Sequence, residues 1–442
     1  MILRLYKTIT TLAGLLGWPY FYWHLRSRGR GESFLPRLGL RLPPPPPPGR
    51  PRVWLHGVSV GEILAAQPLF LELKRLLPQA AFIITTGTET GQAVARKKFC
   101  NLGAQVCYFP LDVPWTVCRY LDRLRPDIFV ALDSEIWPNF LTQARNRGVR
   151  LALVNARLSD KTFRRYVKYR RYLIDILNNI ELIAAGSSQD YERFQSLGLS
   201  PGKLHLTGNL KIDRLLQSRE PEKAAEFRKI MQLTGDLPHR PPVFLAASTH
   251  PGEEDAVLEA YQRLRDPYPA LLLLLAPRHP ERAPELERLL NSLGLPCQLW
   301  SRLKSGQETR RAPVVLIDTV GDLFSLYGLA DVAFVGGSLI PHGGQNILEA
   351  AAWGLVPIYG PNINNFRWAQ TILAEAQAGI MIQDAPSLTA ALRHLLDYPD
   401  LRRAQGQRAR EALTPHQGAA RRQAQLVVEL VRFGGEGNLS EQ

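Results

Sequence analysis

Cysteine is scarce, with four residues in 442. Cys100, Cys107, Cys118 and Cys297 show no C-x-x-C spacing, so a disulfide frame and a zinc ribbon are both excluded, and the residues read as thiols of a reducing compartment. No D-x-D stands in a suitable loop and no histidines are paired at ligand spacing, so no metal site is expected. No G-x-G-x-x-G occurs, so no dinucleotide fingerprint is assigned. No basic ribbon interleaved with aromatics appears, and nucleic acid is not an expected partner.

Positive charge is plentiful: the formal net charge is +14. An excess of that size calls for an acidic partner, a phosphorylated ligand or an anionic lipid surface. The length suggests two or three domains with ample core. Thr8 to Leu25 carries no formal charge, and about 18 residues barely reach the length of a spanning helix. Trp18, Tyr20, Tyr22 and Trp23 crowd one end, and Arg26, Arg28 and Arg30 follow. A spanning helix, a half-inserted interfacial helix and an amphipathic helix packed on the protein all satisfy this composition. No small-residue cleavage site stands out. The six prolines Pro43 to Pro48 predict a stiff extended spacer. The chain is therefore read as an N-terminal anchor over 1–30 and a proline-rich linker over 31–51.

From Arg52 onward, short apolar runs alternate with helical patterns, which predicts parallel α/β units. Strands are expected at 53–56, 82–86, 106–109, 128–132, 151–155, 182–186 and 204–208. A second series is expected at 243–247, 271–276, 298–300, 314–318, 332–336, 356–359 and 380–382. The expected domains are 52–213 and 243–433, with a charged linker over 214–242 and a tail over 434–442. Both halves open alike, with Ser59-Val-Gly-Glu62 after the first strand of one and Ser248-Thr-His-Pro-Gly-Glu253 after the first strand of the other. Two Rossmann-like halves facing one cleft is the GT-B layout.

The stretch Val332 to Glu349 reads as a buried strand, a glycine-rich loop and a helix starting near Gln345. Gly336, Gly337, Gly343 and Gly344 would let backbone approach a ligand. The helix N-terminus is a natural phosphate seat, and Glu349 could accept hydrogen bonds from ribose hydroxyls. Elsewhere, Glu62 is either a first-turn glutamate favoured by the helix dipole or a general base. Glu135 lies beside an apolar run, where acids are rare unless paired or functional, with Asp133 as a possible structural partner. Lys211 is either a solvated loop lysine or a cation for a departing phosphate. Arg278, after another apolar run, can fork onto phosphate or carboxylate.

Ten stretches in order carry a resemblance. They are His56-Gly-Val-Ser-Val-Gly-Glu62, Thr85-Thr-Gly-Thr-Glu-Thr-Gly91, Tyr108-Phe-Pro-Leu-Asp112, Asp133-Ser-Glu-Ile-Trp-Pro-Asn139, Val154-Asn-Ala-Arg-Leu-Ser159, Gly208-Asn-Leu-Lys-Ile-Asp213, Ala247-Ser-Thr-His-Pro-Gly-Glu253, Ala276-Pro-Arg-His-Pro280, Asp318-Thr-Val-Gly-Asp322 and the glycine-rich stretch above. Together they resemble the 3-deoxy-D-manno-octulosonic acid (Kdo) transferase family, over nearly the whole chain. The resemblance implies a GT-B glycosyltransferase that moves Kdo from CMP-Kdo to lipid A precursor (lipid IVA) in lipopolysaccharide biosynthesis, with inversion and with neither metal nor cofactor. It implies Glu62 as proton acceptor, with Glu135 and Lys211 supporting the transition state. It implies CMP binding by Pro277, Arg278, Val320, Gly321, Asp322, Asn346, Ile347, Leu348 and Glu349. The family often has Glu where Asp322 stands. The expected location is the cytoplasmic side of the inner membrane, against anionic lipids. The alternative is another GT-B enzyme using a UDP-sugar, an N-acetylglucosaminyl transferase or a sugar epimerase.

Overall fold

The structure, a computed structural model, describes residues 2–18, 22–23, 31–235 and 239–436. The chain divides into two compact units: Met1–Arg214 with His416–Gln442, and Leu215–Pro415.

The first unit is a seven-stranded parallel sheet. Its strands are β1 (Arg52–His56), β2 (Ala81–Thr86), β3 (Gln105–Tyr108), β4 (Ile128–Leu132), β5 (Arg150–Ala156), β6 (Leu182–Ala185) and β7 (Leu204–Leu206). Their order is β3-β2-β1-β4-β5-β6-β7. β2, β4 and β6 are buried along their whole length, which is why they read as unbroken apolar runs. One face of the sheet holds an aromatic cluster. Trp54 packs edge-on against Phe129 and Phe140, at centroid distances of 5.6 and 5.1 Å.

The second unit is also a seven-stranded parallel sheet. Its strands are β8 (Val243–Thr249), β9 (Leu272–Pro277), β10 (Cys297–Leu299), β11 (Val314–Leu316), β12 (Val332–Val335), β13 (Pro357–Tyr359) and β14 (Ile380–Met381), in the order β10-β11-β9-β8-β12-β13-β14. All fourteen expected strands are present, with ends shifted by a residue or two.

The division into units differs from the expected boundaries at two places. Residues 215–242 belong to the second unit and are not a free linker: Phe227 is buried against Trp300, with ring centroids 4.8 Å apart. The last helix, Ala419–Glu436, belongs to the first unit, where Ala419, Ala420, Ala424 and Val427 join the core beneath helix Val60–Leu76. Asp213 seats that last helix by accepting from the N–H groups of Gly418 and Ala420, both at 2.8 Å.

Of the three N-terminal readings, a spanning helix is the one that the described residues do not show. The first helix is Ile2–Leu16, only 15 residues, where a spanning helix needs about 20. Among the described residues no helix is long and apolar enough to cross a membrane. Gly17 follows, its N–H donating to the Ala13 carbonyl at 2.9 Å. The helix docks on the first unit: Tyr6 donates to Asp112 Oδ2 at 3.0 Å, and Asn139 Nδ2 donates to Thr10 Oγ1 at 3.0 Å. Residues 19–21 and 24–30 lie outside the described residues. The proline run is no free spacer either, since Gln105 and Arg123 donate to the carbonyls of Pro44 and Pro43. An extended proline backbone leaves those carbonyls open to partners.

Candidate active site

The two halves of each sheet meet at a switch point, between β1 and β4 in the first unit and between β8 and β12 in the second. Loops leaving the carboxyl ends of strands diverge there, and open α/β sheets bind ligands at such points.

At the first switch point, helix Val60–Leu76 starts after β1. Ser59 caps it and accepts from Glu62 N–H at 3.3 Å. Glu62 answers with its carboxylate, which accepts from the Ser59 hydroxyl and from Val58 N–H, both at 2.7 Å. This is a capping box that reaches one residue further back than usual. It holds a half-buried carboxylate in one orientation. Burial, the largest effect, and the charge of Asp133 push the Glu62 carboxyl up, while Ser59, Val58 and Lys211 pull it down.

The loop after β4 supplies the facing groups. Asp133 sits in the left-handed region with φ 57°, and Asn155, the last residue but one of β5, does so with φ 50°. Asp and Asn tolerate that region better than most side chains, and there it turns both carbonyl-lined strand ends sharply. Asp133 accepts from Lys211 Nζ at 2.6 Å and also from Asn155 Nδ2. Lys211 is therefore no solvated loop lysine. Its backbone is fixed as well, since Asn209 Oδ1 accepts from Lys211 N–H and Asn155 Oδ1 accepts from Leu210 N–H, both at 2.8 Å. Glu135 accepts from Trp137 Nε1 at 3.0 Å. Burial first, then the charge of Glu62, push Glu135 up to about 7. The structure thus brings Glu62, Glu135 and Lys211 into one electrostatic cluster, with Asp133 as the keystone.

At the second switch point the glycine-rich loop differs from expectation. Three of its amides are already taken. Glu253, fully buried, accepts from the N–H groups of Gly337 (2.6 Å), Ser338 (2.9 Å), Leu339 (2.9 Å) and His250 (3.0 Å). The following helix begins at Leu348, not near Gln345, and ends at Ala352. Asn346 Oδ1 accepts from Leu348 N–H at 3.3 Å, so the polar side chain ahead of the helix satisfies one of its free amides. Glu349 lies in its first turn.

The remaining expected donor-site residues are spread in character. Pro277 ends β9, and Arg278 is exposed just beyond it, near His250. His250 is buried, lies with its ring centroid 4.0 Å from that of His342 and meets Gln345 Nε2 at 3.2 Å. Val320 is exposed, and Gly321 has φ 93°. Ile347 and Leu348 are buried. Asp322 is committed inside the unit, accepting from Thr319 Oγ1 (2.8 Å), Trp300 Nε1 (3.1 Å) and Lys304 Nζ (2.8 Å). Although burial works the other way, these hydrogen bonds hold its carboxyl below the ordinary range. Sequence reasoning passed over Glu253, while His250, read there as a structural or surface histidine, is buried. The signal was the repeated opening of the two halves, where Glu253 stands as Glu62 does.

Two parallel α/β units with charged groups at their switch points define a GT-B-like protein. Solved structures of that kind include the UDP-GlcNAc 2-epimerase of Neisseria meningitidis, with TM-score 0.56 at 14% identity over 86% of this chain and 99% of that one. A second UDP-N-acetylglucosamine 2-epimerase gives TM-score 0.58 at 14% identity over 89% and 97%. At that identity the likeness shows the fold.

The family profile described as 3-deoxy-D-manno-octulosonic-acid transferase (kdotransferase) matches residues 32–214. The 3-deoxy-D-manno-octulosonic acid transferase of Haemophilus influenzae is 35% identical over 85% of this chain and 86% of that protein. The one from Bordetella pertussis is 36% identical over 90% and 92%. This chain belongs to the 3-deoxy-D-manno-octulosonic acid transferase family.

Proposed function

We propose that the protein transfers Kdo from CMP-Kdo to a lipid A precursor, in the synthesis of lipopolysaccharide. Full-length kinship with Kdo transferases supports the reaction, and the Glu62–Asp133–Lys211–Glu135 cluster is the single structural observation that carries it. Glu62 takes the proton of the acceptor hydroxyl. The oxygen attacks the anomeric carbon of Kdo as the bond to the CMP phosphate breaks on the opposite face, so configuration inverts. Lys211 supplies fixed positive charge as negative charge builds, and a preorganised cation needs no reorganisation at that moment. The same charge favours the ionised form of Glu62, as a base requires.

Donor binding falls to the second unit, through Arg278, Asn346 and Glu349 and the main chain of Pro277, Val320, Gly321, Ile347 and Leu348. Asp322 shapes that loop from within. No metal and no cofactor is required in this scheme. The first helix exposes Ile9, Leu12, Leu15 and Leu16, each more than half accessible, and such a face suits the interfacial zone of the cytoplasmic leaflet, where basic residues meet anionic lipid.

The test is transfer from CMP-Kdo, generated in situ, to tetraacyl lipid A precursor, with products resolved by mass. Glu62→Gln is expected to lose about 10²- to 10⁴-fold in kcat while remaining folded. A folded wild type that UDP protects against heat and CMP does not would point to a UDP-sugar enzyme instead.

A further inference from the structure

His56 ends β1 and is wholly buried. Its ring stacks on Phe109 with centroids 3.8 Å apart and planes at 18°. Nδ1 lies 3.2 Å from the carbonyl oxygen of Thr85 and 3.1 Å from its hydroxyl. A carbonyl can only accept, so Nδ1 carries the proton and Nε2 holds a lone pair. That Nε2 is buried and has no hydrogen-bond partner. It points at Glu135, with Oε2 3.9 Å away. A buried acceptor left empty is costly, and catalytic hydrogen bonds are often long before substrate binds.

We propose that His56 is a positioning residue that accepts a hydrogen bond from the protonated carboxyl of Glu135, so that Glu135 enters the reaction neutral and Glu62 is the only anionic carboxylate facing the acceptor. This deepens the transferase reading above and rests on it for its role, though not for its geometry. The alternative, an imidazolium paired with a carboxylate, is opposed by burial and by Arg37, which hold His56 down at about 3.

The groups facing this pair are few. Glu62 on the helix after β1 and Asp133 on the same loop both favour a proton on Glu135, and Trp137 Nε1 opposes it. Tyr166, from helix Asp160–Lys168, feels the charge of Glu135. Lys211 is taken by Asp133. His56 has Thr85, Phe109, Phe129 and Arg37 around it. A proton on Glu135 removes one of three clustered negative charges, which favours the ionised form of Glu62. Activity then falls as pH rises through the Glu135 value.

The experiment reads the proton directly. Difference infrared spectra of the full-length protein, recorded over a pH series, follow the C=O stretch of protonated carboxyl groups with no substrate present. The expected result is a band titrating near pH 7 that is absent in Glu135→Gln and titrates about one pH unit lower in His56→Phe, which keeps the stack on Phe109 but cannot accept. The alkaline limb of the kcat/KM profile should move by the same amount. In the Glu135→Gln background, His56→Phe should leave the pH profile where it is. Should the phenyl variant misfold, His56→Asn, too short to reach Glu135, replaces it with the same expected shift. A wild type without the band, or a midpoint unmoved by either His56 variant, overturns the proposal. Because the band is read without donor or acceptor, failure of this proposal is distinct from failure to transfer Kdo.

Discussion

Glu62 and Glu253 occupy corresponding places, each at the start of the helix that follows the first strand of its unit. Their surroundings differ. Glu253 is fully buried and takes four backbone N–H groups from two loops. Glu62 is half exposed and takes one backbone N–H and one hydroxyl. One carboxylate has all its hydrogen-bonding capacity consumed in building a loop. The other has enough left to meet a substrate. The same residue type, placed just after the first strand, is thus structural in one unit and available for chemistry in the other. The number of buried amides it must satisfy decides which.

Counting amides orders the expected costs. Glu253→Ala strands four N–H groups, and the loss should be about 4 kcal/mol or more, read as a large fall in the midpoint of chemical denaturation. A wild-type midpoint for that variant would break the comparison outright. Asp213 holds two amides at the start of the last helix, so Asp213→Ala should cost about 1–3 kcal/mol and raise proteolytic nicking near residue 416. Glu62→Ala gives up one amide and half a capping box and should cost only about 1 kcal/mol. Its loss of activity should be far out of proportion to that, and a stability loss equal to that of Glu253→Ala would erase the distinction.

The smallest effect concerns a neutral acceptor. His416 Nδ1 accepts from Asn209 N–H at 3.1 Å. Burial first, then Arg422, push its pKa down to about 4. A depressed histidine contributes stability fully above its ordinary value near 6.5, and that contribution is lost as pH falls through about 4. Melting temperature should therefore decline between those values. His416→Asn, which accepts without titrating, should flatten the decline, and an unchanged slope would remove His416 from the account.

How much of this was legible beforehand depends on the kind of interaction. The inner strands of both sheets were readable because strands buried on both faces must be apolar throughout, as with Leu271 to Ala276. Glu62, Glu135 and Lys211 were candidates from their residue types and family pattern, but their meeting through Asp133 was not visible, since Asp133 and Lys211 are 78 residues apart. The partner of the glycine-rich loop was not visible either. Its glycines do free the backbone, and a carboxylate from elsewhere in the chain uses that freedom. The last helix was also ambiguous: its stripe of Ala419, Ala420, Ala424 and Val427 suits either unit.

Sequence alone determined the class of fold, the reaction family and the residue types present at each strand end, because these follow from local periodicity and from motifs a few residues long. Only the tertiary structure decided which carboxylate is spent on backbone, which cation is paired, which unit owns the last helix and where the lone pair of His56 points. Each of those is settled by contacts between residues far apart in the chain, and neither propensity nor spacing carries that information.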